Sequence, residues 1–426
     1  MASGTNFSVV IDIGTSKMVA MAGRKHGEDK FEIIGKSKVP AKGIKRGIIL
    51  NIDEAAAAVR NLIEDLEKQI GEEIVNVSIG YAGQPMRMYQ YKTSRQTSGE
   101  GIVTQADVDE LYQEAKNIQV EAGYKILHLI PQQFIIDGEV TDSVPVGVAG
   151  KEIEVSYKII AVPESILVNF GRVIEKAGLI MDDITLSPVA AGEAVLTDEE
   201  KEMGAVMVDI GSGTTKISVY HEGALLHASV IPFGGDVITR DIKEGCAILY
   251  KWAEQLKVQY GQALGDFADE RKVVTIPGHN GWEPKEISFK SLAFIIQARI
   301  EEIIDSVAFQ IEQTGISEQL GLGIVLAGGT SKLNHLVSLV KFRTGMDARL
   351  AHPVFRPMGM PKNDDNNDYL TALGLLKLSL EKAIPVPQKE KKKKKKKRES
   401  RFSPWIINVV QGVLDYVDDD DDVALK

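Results

Sequence analysis

The chain has 426 residues, 44% hydrophobic and 26% charged, with a formal net charge of −10 at pH 7. This is an ordinary globular composition with room for two domains, and its acidic balance excludes a dedicated nucleic-acid binder, because only one short run is basic. The single Cys246 excludes an internal disulfide framework and points to a reducing compartment; no secretory signal is expected at the polar Met1 to Asn6, and no stretch reaches the roughly 20 apolar residues of a membrane span.

Residues 7–50 read as successive strands, with turns at Gly23 to Lys30 and around Pro40 and Gly43. An apolar run from Val9 ends in Asp12; Gly14, Thr15, Ser16 and Lys17 make a polar turn, and a second apolar run reaches Ala22. Asp53 to Ile70 is predicted as a helix with Ala55, Val59, Leu62, Ile63 and Leu66 on one face and Asp53 supporting its N-terminus. Val75 to Ile79 follows as a buried strand.

From about Gly83 to Val162 the character changes. A strand at Met86 to Tyr91, a helix at Thr104 to Ile118 and strands at Tyr124 to Ile136 and Glu152 to Ala161 make a β-α-β-β unit, read as an inserted subdomain over 83–162. Such a unit can present a surface to other proteins; the plain alternative is decoration of the core.

Pro163 to Ala177 is a helix, and Ile184 to Leu196 leads into a second copy of the opening plan. The apolar run from Val206 ends in Asp209, Gly211, Ser212, Gly213, Thr214 and Thr215 follow, and another apolar run reaches Tyr220. Phe233-Gly234-Gly235-Asp236 opens a helical region to about Tyr260, where Glu254 and Lys257 stand one turn apart on one face. A long helix covers Ser288 to Gln313. A third glycine signal, Gly328-Gly329-Thr330, ends the buried strand from Gly323, and a helix from Asp368 to Ala383 closes the body.

The remaining tail is of another kind. Lys391 to Arg398 is a run of eight cations, an extended, self-repelling linker within 385–402. Ser403 and Pro404 then suit the N-cap and first turn of a helix over 403–417, before an acidic tail at 418–426. Phe402, Trp405, Ile406, Val409, Val410, Val413, Tyr416 and Val417 belong to its broad apolar surface. Burying five or six such side chains gives roughly 10 kcal/mol gross, and each lysine near an anionic leaflet adds up to about 1 kcal/mol. Together these are the two signals that stable membrane anchoring needs. Docking of the helix on a partner groove is the alternative.

Each Asp–Gly hairpin alone is an ordinary tight turn. Paired in one chain, about half its length apart, they suggest two turns gripping a nucleoside triphosphate from both sides: backbone N–H groups and hydroxyls on the phosphates, and an aspartate on the water shell of Mg²⁺. Competing motifs fail. Lys30 stands where a Walker loop needs its first glycine, Lys216 occupies the third glycine position of a dinucleotide fingerprint, and no H-E-x-x-H or G-x-S-x-G occurs.

The ordered set of two Asp–Gly hairpins, a Gly-Gly-Asp turn, a Glu-x-x-Lys helix and a late Ala-Gly-Gly turn resembles the actin, Hsp70 and sugar-kinase superfamily. Within it, the inserted unit and the tail resemble the FtsA family, bacterial division proteins that tether FtsZ filaments to the membrane; the resemblance covers roughly residues 7–383. It implies an α/β fold: an actin-like two-domain ATP clamp with an inserted β-α-β-β subdomain and a C-terminal amphipathic helix. The division expected is 1–82 with 163–203 for the first domain core, 83–162 for the insertion, 204–243 with 320–384 for the second core and 244–319 for its smaller subdomain.

By position, the resemblance implies that Asp12, Gly14, Thr15, Ser16 and Lys17 form one phosphate hairpin and Asp209, Gly211, Ser212, Gly213, Thr214 and Thr215 the other. Gly234, Gly235 and Asp236 would line the cleft, Glu254 and Lys257 lie near the ribose or base, and Gly328, Gly329 and Thr330 meet the adenosine. Asp12 and Asp209 would act on Mg²⁺ through water. Relatives that cleave ATP well carry Glu or Gln just before the small-residue helix; Leu186-Ser187-Pro188 stands there instead, with Glu193 nearly two turns on, so slow or negligible hydrolysis is expected. The resemblance further implies that Arg299 and Glu302 receive the FtsZ C-terminal peptide, against the plain alternative of an exposed ion pair. It also implies self-association into filaments, other division proteins on 83–162, and residence at an anionic surface, the cytoplasmic face of the inner membrane. Two rivals are a small-molecule kinase of the superfamily, which needs a carboxylate base in the cleft mouth and has no use for the tail, and a pilus-assembly-type scaffold.

Overall fold

Two five-stranded sheets repeat one strand plan. In the first, the order is Ile180–Leu186, Asn76–Tyr81, Ser8–Ile13, Lys17–Lys25, Phe31–Pro40; in the second it is Ala348–Leu350, Ile324–Ala327, Ala205–Ile210, Thr215–His221, Ala224–Ile231. In both, the central strand pairs antiparallel with the strand after its tight turn and parallel with a strand reached by a crossover, as each connection length requires. The computed structural model describes residues 7–382 apart from 27–29, 99–100, 142–143, 279–282 and 360–365. The basic linker and the helix expected at 403–417, with Phe402, Trp405, Ile406, Val409, Val410, Val413, Tyr416 and Val417, lie outside the described residues.

The central strands are covered on both faces, which is why they are apolar almost throughout. Asp12 and Asp209 are the exceptions, one residue before the C-terminal end of each strand, where open α/β sheets place their ligands. The helix Ile52–Ile70 buries Ala55, Val59, Leu62, Ile63 and Leu66 against the first sheet. The Asn51 side chain caps it, accepting from the N–H groups of Asp53 and Glu54, and Asp53 stands in the first turn, where its charge supports the N-terminus.

Ser187–Val195 and Leu370–Lys382 carry too little amphipathicity for a surface and are buried nearly all round. They cross so closely that a methyl group on Gly374 would run into the Ala190 carbonyl. The closing helix follows the second domain in the chain, yet it packs against the Ser8–Ile13 and Lys17–Lys25 strands of the first sheet and shares their core.

The insertion is a sheet in the order Arg87–Gln96, Glu152–Pro163, Tyr124–Ile136, Glu139–Thr141, with the helix Gln105–Lys116 on it. Thr104 and Asp107 close a reciprocal capping box. The short strand Glu139–Thr141 adds to the four elements expected. Leu111, Phe134, Ile136, Ile153 and Tyr157 form a separate core there, whereas Leu127, Ile160 and Val162, on two of the same strands, belong to the main core. Continuous strands thus graft the insertion onto the first domain. Helices Gly235–Gly245, Tyr250–Tyr260 and Phe289–Glu312 follow the second sheet's Ala224–Ile231 strand, the last capped by Ser288. Among the described residues no helix is long and apolar enough to cross a membrane.

Candidate functional site

The two Asp–Gly hairpins face each other. Thr15 of the first lies against Gly213 of the second, where an added Cβ would come within 2.6 Å of the threonine Cγ2. The second turn is closed by the Gly211 N–H donating to the Thr214 carbonyl at 3.0 Å. Ser16 is exposed and Ser212 half-buried, whereas Thr214 and Thr215 are buried. The Thr215 hydroxyl donates to the Phe233 carbonyl at 2.9 Å, so it holds the next turn in place.

That turn and two other segments converge on the second hairpin. The N–H groups of Gly235 and Asp236 donate to the carbonyls of Gly211 and Ser212, both at 2.8 Å. A Cβ on Gly235 would sit 2.5 Å from Thr330 Oγ1 and 3.3 Å from Lys257 Nζ, and Thr330 Oγ1 donates to the Gly211 carbonyl at 3.3 Å. Gly328 has φ +87, and a side chain there would also run into Asp209 Oδ1, so glycine is required twice over. Gly329 is exposed, with open space where a side chain would be.

Glu254 and Lys257 are not a solvated pair. Lys257 Nζ donates to the Gly235 carbonyl at 2.9 Å and to Thr239 Oγ1 at 2.7 Å, and it meets Glu254 Oε2 at 2.8 Å. The Asp236 carboxylate takes the Tyr250 hydroxyl and Arg240. Lys17 also has a protein partner: it pairs with Asp368, which accepts from Lys38 at 2.9 Å as well. Burial pushes the Asp368 carboxyl up, but the two lysines bring it down to about 2.

The floor of the cleft carries the electrostatic surprise. Strand register sets Val19 opposite Asp12 in the first hairpin and Lys216 opposite Asp209 in the second. The buried Lys216 ammonium donates to Asp209 Oδ2 at 2.8 Å, and Thr371 Oγ1 reaches the same oxygen at 3.4 Å. Burial lowers the Lys216 pKa, but the charges of Asp209 and Asp12 outweigh it, and the ammonium is held above its ordinary range. Asp12 differs: its Oδ1 is out of contact with solvent and has no hydrogen-bond partner among the described residues. Burial raises its carboxyl, opposed by Lys216 and reinforced by Asp209. Lys216 and Thr371 occupy Asp209 Oδ2, whereas Asp12 Oδ1 has no partner among the described residues. Lys216 was readable only through register, seven residues after Asp209 across a four-residue turn.

Ser187 opens its helix fully buried, and its Oγ likewise has no partner among the described residues. A Cβ on Gly80 would meet Ser187 Oγ at 2.8 Å and Asp12 Oδ1 at 3.5 Å, so the two orphan oxygens flank one backbone position. Glu193 is committed elsewhere: Lys201 at 2.5 Å and Lys377 at 2.9 Å hold it inside the protein. Far from the floor, Arg299 binds Asp241 through Nε at 2.5 Å and Nη2 at 3.2 Å, and Glu302 through Nη1 at 2.6 Å. Among the described residues no cluster of His, Cys, Asp and Glu has the geometry of a metal site.

Comparison with known proteins agrees with this architecture. The profile of the family "Cell division protein FtsA" matches residues 206–374, and that of the "SHS2 domain inserted in FTSA" matches 83–161. The cell division protein FtsA of Neisseria meningitidis is 35% identical over 382 residues, 89% of this chain and 92% of its own length. Among solved structures, the PilM–PilN type IV pilus biogenesis complex aligns with a TM-score of 0.62 at 16% identity, over 88% of this chain and 98% of that one. MreB5 of Spiroplasma citri bound to ADP aligns with a TM-score of 0.51 at 14% identity, over 87% and 95%. These structures share the actin-like fold of two repeated sheets. With that fold, the inserted subdomain and an identity of 35% over nearly the whole length, the chain belongs to the FtsA family of cell-division proteins.

Proposed function

We propose that the chain is an ATP-binding, self-associating adaptor that holds FtsZ on the cytoplasmic face of the inner membrane. The observation that carries the nucleotide part is convergence: Gly235, Lys257 and Thr330 come from three separate segments and meet at Gly211 of the hairpin that faces Thr15. Apart from the hydroxyls already engaged, these turns offer backbone and small side chains where phosphates approach closely. Asp12, with an unpartnered oxygen, is the group suited to a metal-bound water. Ser187, where water must be oriented for cleavage, is a weak base, so turnover is slow and nucleotide state sets closure and self-association.

The domain division follows the two sheets and the insertion: 1–82 with 163–203, 83–162, 204–243 with 320–384, and 244–319. Surface 83–162 is assigned to other division proteins, and Arg299 with Glu302 to the FtsZ C-terminal peptide. The membrane part rests on the tail sequence, eight cations followed by a broadly apolar helix. Flotation with anionic vesicles tests it, comparing the full chain, a chain ending at Ala383 and Trp405→Asp. Flotation of the full chain alone is expected; flotation of none removes the anchor.

A further inference from the structure

The echo between the two hairpins breaks opposite the aspartates. Asp12 faces the apolar Val19, while Asp209 faces Lys216. A lysine at such a position is costly unless carboxylates compensate it, because desolvating an ammonium takes several kcal/mol. Here two do. Asp209 bonds it at 2.8 Å and Asp12 is the second acid acting on it, so the ammonium is fixed between the two hairpins. Without it, two carboxylates would face a polyanionic triphosphate, an arrangement that a cation must relieve.

We propose that Lys216 is a built-in counter-cation, which neutralises Asp209 and offers its charge to the nucleotide phosphates, so that nucleotide binds with little need for a divalent ion. Several observations support this. Asp209 Oδ2 is already occupied by the ammonium and by Thr371, leaving less room on that carboxylate for the water shell of a metal. An ammonium carries three donors, and only one of Lys216 is bonded to Asp209. Lys17, the other cation near Asp12, is held by Asp368, whereas Lys216 is held by the second hairpin's own aspartate.

The proposal rests on the nucleotide reading above, and one experiment separates the two. The full chain, stripped with chelator, is titrated with a fluorescent ATP analogue in excess EDTA and in excess Mg²⁺. Wild type is expected to show dissociation constants within about threefold of each other, whereas Lys216→Gln loses at least about tenfold in EDTA and regains it with Mg²⁺. Lys216→Arg keeps the charge and should follow wild type. Loss of wild-type binding on chelation overturns the counter-cation and leaves the nucleotide reading standing. Absence of binding in both media overturns the nucleotide reading, and the counter-cation with it. If Lys216→Gln fails to fold, the wild-type pair of titrations still decides.

Discussion

Thr15 and Gly213 touch across the cleft, each at the tip of a hairpin from a different sheet. The contact leaves no room for a methyl group, and overpacking of this size costs about 1–3 kcal/mol where neighbours cannot give way. Here the strain falls between two hairpins of different sheets and not inside one core. Gly213→Ala is therefore expected to leave the thermal midpoint nearly unchanged and to weaken ATP binding about tenfold, since the strain falls on closure. Thr15→Gly in the same chain should restore binding, a coupling that a double-mutant cycle reads directly. A large drop in Tm with unchanged affinity would instead mean that the two sheets are rigidly docked.

The hairpins were legible in the sequence because local rules set them: an apolar run, an acid and a glycine turn, twice over. Long-range partners were not. Arg299 and Asp241 are 58 residues apart, and nothing in either segment announces the other. Glu193 shows the same limit. Its spacing from Ser187 is visible in the chain, but whether it points to the cleft or inward depends on Lys377, which arrives 184 residues later on the closing helix. Lys216 lies between these cases, since register follows from turn length, whereas the burial that makes its charge matter does not.

Glu193, Lys201 and Lys377 tie together the helices Ser187–Val195, Asp198–Met203 and Leu370–Lys382. Burial pushes the Glu193 carboxyl up, yet the two lysines bring it to about 2, below its ordinary 4.5. A carboxylate depressed in the folded state adds stability above its unfolded value, and that stability is lost as pH falls from about 4.5 through 2. Glu193→Gln removes the carboxylate shared by the buried Lys201 and the half-buried Lys377 and should cost about 3–5 kcal/mol at neutral pH. The cost should shrink between pH 4.5 and 2, as urea midpoints of the two proteins would show. A pH-independent difference would mean that volume and not charge holds the three helices.

His128 joins the insertion to the strand before Ser187: its Nε2 accepts from the Leu186 N–H at 2.9 Å. Burial, with a smaller push from the charge of Lys382, lowers it to about 3 from an ordinary 6.5. A histidine buried neutral contributes stability above 6.5 that is lost as pH falls toward 3. Wild type should therefore lose stability across that window. His128→Gln keeps an acceptor that cannot charge there, so the same window should be flatter in chemical denaturation. Equal slopes in the two proteins would place the acid-sensitive group elsewhere.

At Arg299 the proposed peptide contact competes with ion pairs inside the protein. Its guanidinium is held by Asp241 on the Gly235–Gly245 helix, the helix that opens at the Gly-Gly-Asp turn of the cleft, and by Glu302. A peptide carboxylate arriving at this face must displace one of these partners, and the exposed Glu302 is the easier to move. Arg299→Glu should weaken the FtsZ C-terminal peptide at least tenfold, roughly 1.4 kcal/mol or more, with ATP affinity unchanged. Asp241→Asn removes the stronger competitor without removing the guanidinium, and it should bind the peptide as tightly as wild type or more so. Calorimetry of both ligands against both variants separates the possibilities. If ATP and peptide affinity fall together in Arg299→Glu, the long helix has shifted against its neighbour and the peptide assignment fails; if Asp241→Asn alone abolishes the peptide, the acid and not the arginine is the contact.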